Sequence, residues 1–213
     1  MQKRTHKAKQ YRTGKLTKRQ AGRDPFQLFA RWFQAAGDAG LEEPTAACLA
    51  TATPDGRPSA RFVLLKGFDR RGFVFFTSYI GRKGRELAVN PRSALTFYWD
   101  RLERQVRIEG PVERTSEPES DAYFRMRPRK SRLAAWASMQ SSVIASRGVL
   151  ERRYRAAADR FQGREVPRPA HWGGFRVVPE RIELWQGRAN RLHDRILFVR
   201  RRSGGWKKVR LSP

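Results

Sequence analysis

The order of apolar and polar positions predicts one N-terminal helix in front of a mainly β chain. Residues 1–23 are polar and basic and have no apolar period, so we predict a flexible arm there. In DPFQLFARWFQAAGDAG, Asp24 can cap a helix that starts at Pro25. Apolar side chains at positions 26, 28, 29, 32 and 33 form one stripe, and two glycines suit the helix end.

Strand signals follow the helix and continue towards the C-terminus. Short runs rich in β-branched and aromatic residues are separated by tight turns such as PDGRP, which favours antiparallel neighbours. The predicted strands are AACLATAT, SARFVLLKGF, FVFFTSY, SALTFYWD, RQVRIEGPVERT, RIELWQ and RLHDRILFVRR. Such a series predicts a closed barrel or a sandwich.

Further helices are predicted between the strands. GRKGRELAVNP ends at Pro91, SEPESDAYFRMRP opens with the capping-box spacing of Ser116 and Glu119, and SRGVLERRYRAAADRFQG stops at Gly163. GREVPRPAHWGGF is rich in Pro and Gly, so we interpret it as a connector rather than a domain boundary. Residues 24–213 are therefore expected to form one domain.

The charge of the chain favours anionic ligands. It carries 46 Lys and Arg against 20 Asp and Glu, and only nine of the basic residues lie in residues 1–23, so the excess is spread. Nucleic acid, anionic membrane and phosphorylated metabolites would all be attracted.

Cys48 is the single cysteine, which excludes a disulfide within the chain and fits a reducing compartment. Without an apolar membrane span or a secretory signal, we expect a cytoplasmic location.

Several common chemistries are excluded by the motifs. No G-x-G-x-x-G follows a strand and no P-loop is present. Three scattered histidines and one cysteine do not make an ordinary zinc site, so no metal is expected. His193 and Asp194 are adjacent and would face apart on a strand, which argues against a catalytic triad. If the chain is an enzyme, a cofactor is expected to carry the reaction.

Basic residues at special positions are the candidate ligand contacts. Arg82 and Lys83 lie in the first turn of a predicted helix, where cations oppose the helix dipole unless an anion sits there. Tyr123, Arg127 and Ser131 are four residues apart and would share a face suited to a phosphate ester if the helix passes Pro128. Solvated surface positions in an arginine-rich chain remain the alternative for both sets.

The stretch NRLHDR contains the most specific of these patterns. On an extended backbone Arg191, His193 and Arg195 alternate with their neighbours and share one face. From the residues alone, this face could bind a phosphorylated substrate, bind a nucleic-acid backbone or bind nothing.

Taken in order, the motifs resemble the pyridoxamine 5′-phosphate oxidase family. They are ARFVLLKGFD, FFTSY, GRKGREL, LERQVRIEG, YFRMRPR, WAS, QSS, WGGFRV, IELWQG, RLHDR and RLSP, and they extend from about Asp24 to Pro213. The resemblance implies an FMN-binding antiparallel split β-barrel with flanking helices, which forms a homodimer through a C-terminal hairpin region and holds FMN at the subunit interface. It also implies oxidation of pyridoxine and pyridoxamine 5′-phosphates to pyridoxal 5′-phosphate with O₂, giving H₂O₂, and NH₃ from the amine.

The resemblance also implies roles for individual residues. The FMN contacts carried over by motif are Arg61, Phe62, Val63, Leu64, Leu65, Lys66, Phe76, Thr77, Arg82, Lys83, Gln105, Gln140, Ser141, Trp185 and Arg195. The substrate contacts are Lys66, Tyr123, Arg127, Ser131, Arg191 and His193, of which Arg191 and His193 are expected to be catalytic.

This sequence departs from the family pattern at a few positions. Phe76 stands where the family commonly has Tyr, and Gly81 stands where Ser often precedes the Arg-Lys pair, so weaker FMN binding is expected. Tyr11 lies at a position that resembles a lid tyrosine, but its neighbours match poorly. Two other functions stay open from the residues: a basic nucleic-acid-binding protein that uses its arm, and a flavoprotein of this fold with a different substrate.

Overall fold

The computed structural model describes Tyr11 and residues 14–213. Its helices are α1 Lys18–Ala21, α2 Pro25–Asp38, α3 Arg82–Val89, α4 Glu117–Met126, α5 Arg129–Ala137 and α6 Arg147–Arg160. Its strands are β1 Ala46–Ala52, β2 Pro58–Leu64, β3 Gly67–Asp69, β4 Gly72–Ser78, β5 Arg92–Trp99, β6 Arg104–Arg114, β7 Trp172–Val177, β8 Arg181–Gln186, β9 Asp194–Arg200 and β10 Trp206–Leu211.

The strands pair in the order β10-β9-β8-β6-β5-β1-β2, and β7 joins β6 to β4, which also pairs with β3. The pairs β3–β4, β4–β7, β6–β7, β8–β9 and β9–β10 are antiparallel. A mainly antiparallel β chain with flanking helices confirms the fold class that the strand pattern predicted.

The chain forms two compact units. One consists of Tyr11 and residues 14–47, 95–108 and 180–213 and is called the hairpin unit below. The other consists of residues 48–94 and 109–179 and is called the cleft unit.

Helix α2 anchors the core of the hairpin unit. The Asp24 carboxylate accepts a hydrogen bond from the Phe26 N–H at 2.9 Å, so the helix begins where the sequence predicted. Its buried Phe29 packs on Phe97 and Trp99, with ring centroids 5.4 and 5.9 Å away. Aromatic burial of this size supplies much of the stabilisation of a small core.

The strands β8, β9 and β10 form an antiparallel meander in the same unit. Ile182 faces Phe198 and Leu184 faces Ile196 across β8 and β9, and all four side chains are fully buried. Trp185 lies opposite Arg195 in this register. Residues directly opposite in an antiparallel pair share a face, so the tertiary structure brings these two side chains together.

The described part of the predicted arm is ordered, which corrects the expectation for residues 14–23. The Thr17 hydroxyl accepts a hydrogen bond from the Gln20 N–H at 3.1 Å and caps α1. Leu16 is buried, and its N–H donates to the Asp194 carboxylate at 3.0 Å. These partners are distant in sequence, so local periodicity does not reveal them. Most of the remaining arm lies outside the described residues.

The core of the cleft unit is built around β4. Phe73, Val74 and Phe75 are buried in this strand, which pairs with β3 on one side and β7 on the other. Phe75 and Phe175 pack across β4 and β7 with ring centroids 5.8 Å apart. Helices α4, α5 and α6 belong to the same unit.

The predicted strand SARFVLLKGF is two strands in the structure. Leu65 and Lys66 separate β2 from β3, and the Lys66 N–H donates to the Val74 carbonyl at 2.8 Å. The chain changes partner at this point, because β2 pairs with β1 whereas β3 pairs with β4. The apolar run continues through this point, so the sequence does not indicate that the strand changes its partner.

Pro128 separates α4 from α5, as the sequence indicated. Helix α4 ends at Met126, and α5 begins at Arg129. Proline has no N–H for the helical ladder and its ring clashes with the carbonyl four residues earlier. The helix therefore does not continue through Tyr123, Arg127 and Ser131, and another arrangement must bring them together.

Part of the stretch interpreted as a connector is the buried strand β7, which is a correction. Its glycines misled the prediction because glycine weakens strand signals. A Cβ on Gly173 would lie 2.0 Å from the Tyr79 Oη, and a Cβ on Gly174 would lie 2.4 Å from the Thr115 Oγ1. These glycines permit close packing in the strand rather than a turn.

Among Tyr11 and residues 14–213, no helix is long and apolar enough to cross a bilayer.

Candidate functional site

A cleft of about 560 Å³ in the cleft unit collects most of the predicted ligand contacts. The predicted residues that line it are Phe62, Val63, Leu64, Lys66, Phe76, Thr77, Lys83, Tyr123, Arg127, Ser131 and Gln140. Met126, Pro128 and Trp172 line it as well, and the sequence did not single them out for a ligand. Cations and aromatic rings dominate this wall, which suits an anionic aromatic ligand.

The cleft carries a half-buried polar cluster at the start of α3. The Lys83 Nζ donates to the Thr77 Oγ1 at 3.2 Å and to the Gln140 Oε1 at 3.0 Å. Burial, and then the nearby Arg61 guanidinium, lower the pKa of Lys83. The Arg82 N–H donates to the Ser141 Oγ at 3.2 Å. The structure thus brings the two cations of GRKGREL together with Gln140 and Ser141, which lie far away in sequence.

The start of α3 leaves backbone N–H groups open to close approach by a ligand. Gly81 is the N-cap of α3 and has no side chain to cap the helix, so Ser141 is the side chain that accepts a hydrogen bond from the first turn. A Cβ at Gly81 would lie 2.4 Å from the Gln140 Oε1, so the missing serine of the family pattern would have to displace that amide. Free N–H groups at a helix N-terminus and two adjacent cations are the elements of an anion site.

A buried carboxylate organises the arginines beside this helix. Glu86 accepts hydrogen bonds from the Ser59 Oγ at 2.6 Å, the Arg82 Nε at 2.9 Å and the Arg61 Nη2 at 3.2 Å, and from the Thr51 hydroxyl. Burial alone would raise the pKa of Glu86, but the hydrogen bonds from Ser59, Thr51 and the two arginines outweigh it and lower the pKa to about 2. Sequence reasoning missed Glu86 because its role depends on residues from three segments.

The Glu86 network is expected to make stability depend on acid pH. In the unfolded chain the carboxyl binds its proton near the ordinary value of 4.5, whereas in the folded chain it does so only near pH 2. The contribution is therefore full above about pH 4.5 and is lost as the pH falls towards 2. Urea unfolding at a series of pH values should show wild type losing its advantage over Glu86→Gln across this window.

The matched control for this experiment is Glu151→Gln. Glu151 is exposed on α6 and pairs with Arg147 at 2.9 Å, where solvent screens the interaction. Its substitution should leave the pH dependence of unfolding close to that of wild type. An advantage of wild type over Glu86→Gln that stays constant from about pH 6 to pH 3 would contradict the role given to this carboxylate.

Arg127 is a half-buried cation in the same cleft. Its Nη1 is buried and has no hydrogen-bond partner among the described residues. Burial lowers its pKa, and its guanidinium carbon lies 4.6 Å from the ring centroid of Trp172. A buried donor without a partner is costly, which indicates a position prepared for a ligand.

Tyr123 and Ser131 reach the same cleft although Pro128 interrupts the helix. Tyr123 stacks on Phe76 with ring centroids 3.9 Å apart and 11° between the planes. Burial raises the pKa of Tyr123, so its hydroxyl remains a donor at neutral pH. The predicted grouping of Tyr123, Arg127 and Ser131 is thus observed, but a bend between two helices produces it rather than one helical face.

The remaining predicted residues of the cleft unit do not line the cleft. Leu65 is buried in the core, and Arg61 is engaged by Glu86, Thr51 and Ser59. Arg82 and Ser141 contact each other beside the α3 start.

A second cluster lies in the hairpin unit around RLHDR. Trp185 and His193 pack with ring centroids 4.6 Å apart. The Arg188 N–H donates to the His193 Nδ1 at 3.1 Å, so a neutral imidazole carries its proton on Nε2. Burial, and then the Arg191 charge, lower the pKa of His193 and favour that neutral form.

Arg195 is fixed by a buried acid in the same cluster. Its Nε donates to the Glu183 carboxylate at 2.7 Å and its Nη1 to the Ser212 carbonyl at 2.9 Å. Glu183 is buried, and Arg107 approaches it at 3.5 Å. Gln105 is half-buried in β6 of this unit. The sequence did not single out Glu183, although it lies in the quoted motif IELWQG.

The expected alternation of Arg191, His193 and Arg195 on one strand is wrong. Strand β9 begins only at Asp194, and Arg191 belongs to a short 3₁₀ turn. Asn190 and Arg191 have φ values of 56° and 61°, in the left-handed region that favours glycine. Two consecutive strained residues end the turn, so Arg191 is placed by the turn and not by strand alternation.

Tyr11 contacts the rings of this cluster. Its ring lies edge-on to Trp185 and His193, with centroids 5.5 and 5.2 Å away. A Cβ on Gly187 would lie 2.5 Å from the Tyr11 ring, so this glycine makes room for it. The tyrosine whose role the sequence left in doubt therefore contacts His193 and Trp185.

No group of His, Cys, Asp and Glu side chains in the described part of the chain could hold a metal ion. The geometry instead defines a mainly β, antiparallel protein with flanking helices, a basic aromatic cleft in the cleft unit and a cluster of arginine, histidine and tryptophan in the hairpin unit. This combination is the class of the split-barrel proteins.

Family comparisons give the same class. A family model described as pyridoxamine 5′-phosphate oxidase matches residues 33–161, and one for the C-terminal dimerisation region of pyridoxine 5′-phosphate oxidase matches residues 172–213. The chain belongs to the pyridoxamine 5′-phosphate oxidase family.

Relatives match over almost the full chain. A protein of Rubrobacter xylanophilus named pyridoxine/pyridoxamine 5′-phosphate oxidase is 62% identical over 96% of this chain and 94% of its own length. A protein of the same name from Trichormus variabilis is 56% identical over 96% of both. The solved structure of PhzG from Burkholderia lata, in complex with tetrahydrophenazine-1-carboxylic acid, has a TM-score of 0.84 and 33% identity over 89% of this chain and 93% of that one.

Proposed function

We propose that this chain is an FMN-dependent oxidase that converts pyridoxine 5′-phosphate and pyridoxamine 5′-phosphate to pyridoxal 5′-phosphate. O₂ is the electron acceptor, H₂O₂ is released, and the amine substrate also releases NH₃. The observation that carries the proposal is the unpartnered Arg127 nitrogen in a cleft that also contains Lys66, Tyr123 and Ser131. A phosphate monoester supplies the oxygen acceptors that such a set lacks.

The residues of the cleft fit the FMN expected from the family. After the Arg82 N–H, which donates to Ser141, the α3 start offers the next N–H groups and Lys83 to a phosphate, with the Arg82 charge beside them, and Thr77 and Gln140 offer polar contacts. We assign the family's other flavin contacts to residues 61–66, Phe76, Gln105, Ser141, Trp185 and Arg195. When bound, FMN supplies the two-electron oxidation, which protein side chains do not perform.

The chain itself orients the substrate. Lys66, Tyr123, Arg127 and Ser131 are assigned to its phosphate, and Arg191 and His193 to its ring. His193 accepts the Arg188 N–H at Nδ1 and so presents Nε2–H as a donor to a ring substituent. Positioning of this kind can contribute several orders of magnitude to a rate because the reacting atoms are held in register.

The family also suggests the setting of this activity. We propose a homodimer with FMN at the subunit interface, in agreement with the matched dimerisation region. The reaction would complete salvage and synthesis of the vitamin B6 coenzyme in the cytoplasm. Binding to membrane or to specific nucleic acid has no part in this proposal.

Anaerobic reduction of the bound flavin tests the proposed reaction. The purified protein should be yellow, and pyridoxine 5′-phosphate added without O₂ should bleach its absorption in the blue. Admission of air should restore the colour and yield one H₂O₂ per pyridoxal 5′-phosphate. A colourless protein that does not bind added FMN, or a yellow one that the substrate does not bleach, would overturn the proposal.

The PhzG complex defines the competing substrate in this experiment. Tetrahydrophenazine-1-carboxylic acid, the ligand of that structure, is added to a parallel anaerobic sample. We expect no bleaching, since the relatives at 62% and 56% identity are named for the B6 phosphates. Bleaching by this acid and not by pyridoxine 5′-phosphate would reassign the substrate while leaving the flavin chemistry in place.

A further inference from the structure

The guanidinium of Arg127 rests on an aromatic ring instead of a carboxylate. Its central carbon lies 4.6 Å from the ring centroid of Trp172 and 5.6 Å from that of Phe124. No acidic side chain of the described residues forms an ion pair with it, and its Nη1 is buried without a partner. Arg127 is half-buried, and an arginine with a buried donor is usually paired with an acid or another acceptor, so this arrangement requires another explanation.

Arg61 in the same unit shows the usual arrangement. It donates to Glu86, Thr51 and Ser59, so its nitrogens are occupied by protein acceptors. Arg127 has none of these contacts. The two arginines therefore differ in how much of their charge and how many of their donors remain for a ligand.

The Trp172 ring is held in place from several sides. It lies parallel to Phe76 at 5.7 Å and to Tyr123 at 6.2 Å, with interplanar angles of 12° and 5°. Phe124 meets it edge-on at 5.1 Å. The backbone is fixed too, because the Trp172 carbonyl accepts a hydrogen bond from the Arg168 Nη1 at 2.8 Å. Only 7% of the residue is exposed.

We infer that Trp172 is the positioning residue for Arg127 and thereby sets the affinity of the cleft for the phosphate group of the substrate. This inference rests on the proposed function. An aromatic face stabilises the cation through its quadrupole and accepts no N–H hydrogen bond in the guanidinium plane. The fork of donors and the full charge remain available to a dianionic phosphate, which a carboxylate partner would have partly neutralised.

Binding of an inert analogue to the FMN-loaded protein tests this inference without turnover. The probe is 4-deoxypyridoxine 5′-phosphate, which has no oxidisable group at C4′, and it is compared with unphosphorylated 4-deoxypyridoxine. The phosphate ratio is the dissociation constant of the unphosphorylated analogue divided by that of the phosphorylated one, and it measures the contribution of the phosphate to binding. Trp172→Leu should lower this ratio about tenfold, the scale of a desolvated cation–π contact.

Trp136→Leu is the matched control. Trp136 packs in the same core cluster, and the guanidinium of Arg160 lies 4.8 Å from its ring centroid, but it does not line the cleft. Its loss removes a ring and a cation–π contact of the same kind. The phosphate ratio should remain within about twofold of wild type, because the contact between Trp136 and Arg160 lies outside the cleft and does not involve the ligand.

A double-mutant cycle separates positioning from general damage. In an Arg127→Met background, Trp172→Leu should change the phosphate ratio by less than about twofold, since the inference routes the effect of Trp172 on the phosphate through the arginine. An equal loss in both backgrounds would overturn the inference, as would an unchanged ratio in the single variant. If the leucine variant does not fold, Trp172→Phe should lower the ratio about threefold, and an unchanged ratio there would also refute it.

The wild-type ratio distinguishes this inference from the proposed function. If wild type binds the phosphorylated and unphosphorylated analogues equally, the substrate assignment itself fails. If wild type prefers the phosphorylated analogue and Trp172→Leu keeps that preference, only the role of Trp172 fails.

Discussion

Arg127→Met is expected to raise the KM for pyridoxine 5′-phosphate about 100-fold, with kcat and FMN affinity changed less than about threefold. Arg127 offers a buried, unpartnered donor to the cleft, and charge-assisted bonds to a phosphate are among the strongest that a side chain makes. Methionine keeps much of the volume over the Trp172 ring but removes the charge. Steady-state kinetics with O₂ consumption, together with FMN titration of the apoprotein, measure both effects.

Arg125→Met is the control for this result. Arg125 lies two residues earlier, in the last turn of α4, and is exposed towards a different cleft that includes Asp121 and Glu165. Its substitution changes the net charge of the protein by the same amount. A comparable rise in KM in both variants would show that long-range attraction by a basic protein accounts for the effect. The assignment of Arg127 to the phosphate would then be wrong.

Arg191→Gly should lower kcat about 100-fold while the free energy of unfolding stays equal to that of wild type or increases. Arg191 has a φ of 61°, a conformation that costs an ordinary residue about 1 kcal/mol and glycine almost nothing. Strain that persists in a folded protein is commonly associated with a functional position. Stopped-flow reduction of the flavin and thermal unfolding give the two quantities, and FMN retention is expected to be unaffected.

Asn190→Gly separates strain from chemistry. Asn190 has a φ of 56° in the same turn, and we assign it no contact with substrate. Asparagine tolerates the left-handed region better than arginine, so glycine there should relieve a smaller strain and raise the unfolding temperature by no more than about 2 °C, with kcat kept within about threefold. If Asn190→Gly loses as much activity as Arg191→Gly, flexibility of the turn is the cause. The Arg191 side chain would then have no separate role.

Local signals were sufficient for the helix starts and for most strands. Asp24 and Pro25 begin α2 as predicted because capping and the proline φ angle act within one turn. Pro128 likewise ends α4 by its own covalent structure. Strand β7 was not predicted because two adjacent glycines locally indicate a turn. In the structure Gly173 and Gly174 instead leave room for the side chains of Tyr79 and Thr115.

The candidate site was less accessible to local reasoning. Motif order indicated the residues that line the cleft, but periodicity placed Tyr123, Arg127 and Ser131 together for the wrong reason. The roles of Glu86 and Trp172 depend on contacts with side chains from other segments of the chain. A buried carboxylate or tryptophan looks like any other core position in a sequence, since its partners are not its neighbours.

The sequence by itself determined the mainly β class, the capped helices, the excess of positive charge and the motif order of the family, because these follow from backbone preferences and composition. Only the tertiary structure decided that Arg61 is neutralised by Glu86 while Arg127 rests on Trp172 with a donor unused. It also decided that a strained turn places Arg191. Charge and hydrogen-bond balance at each arginine depend on residues brought close by strand pairing and helix packing, and that proximity exists only in the folded chain.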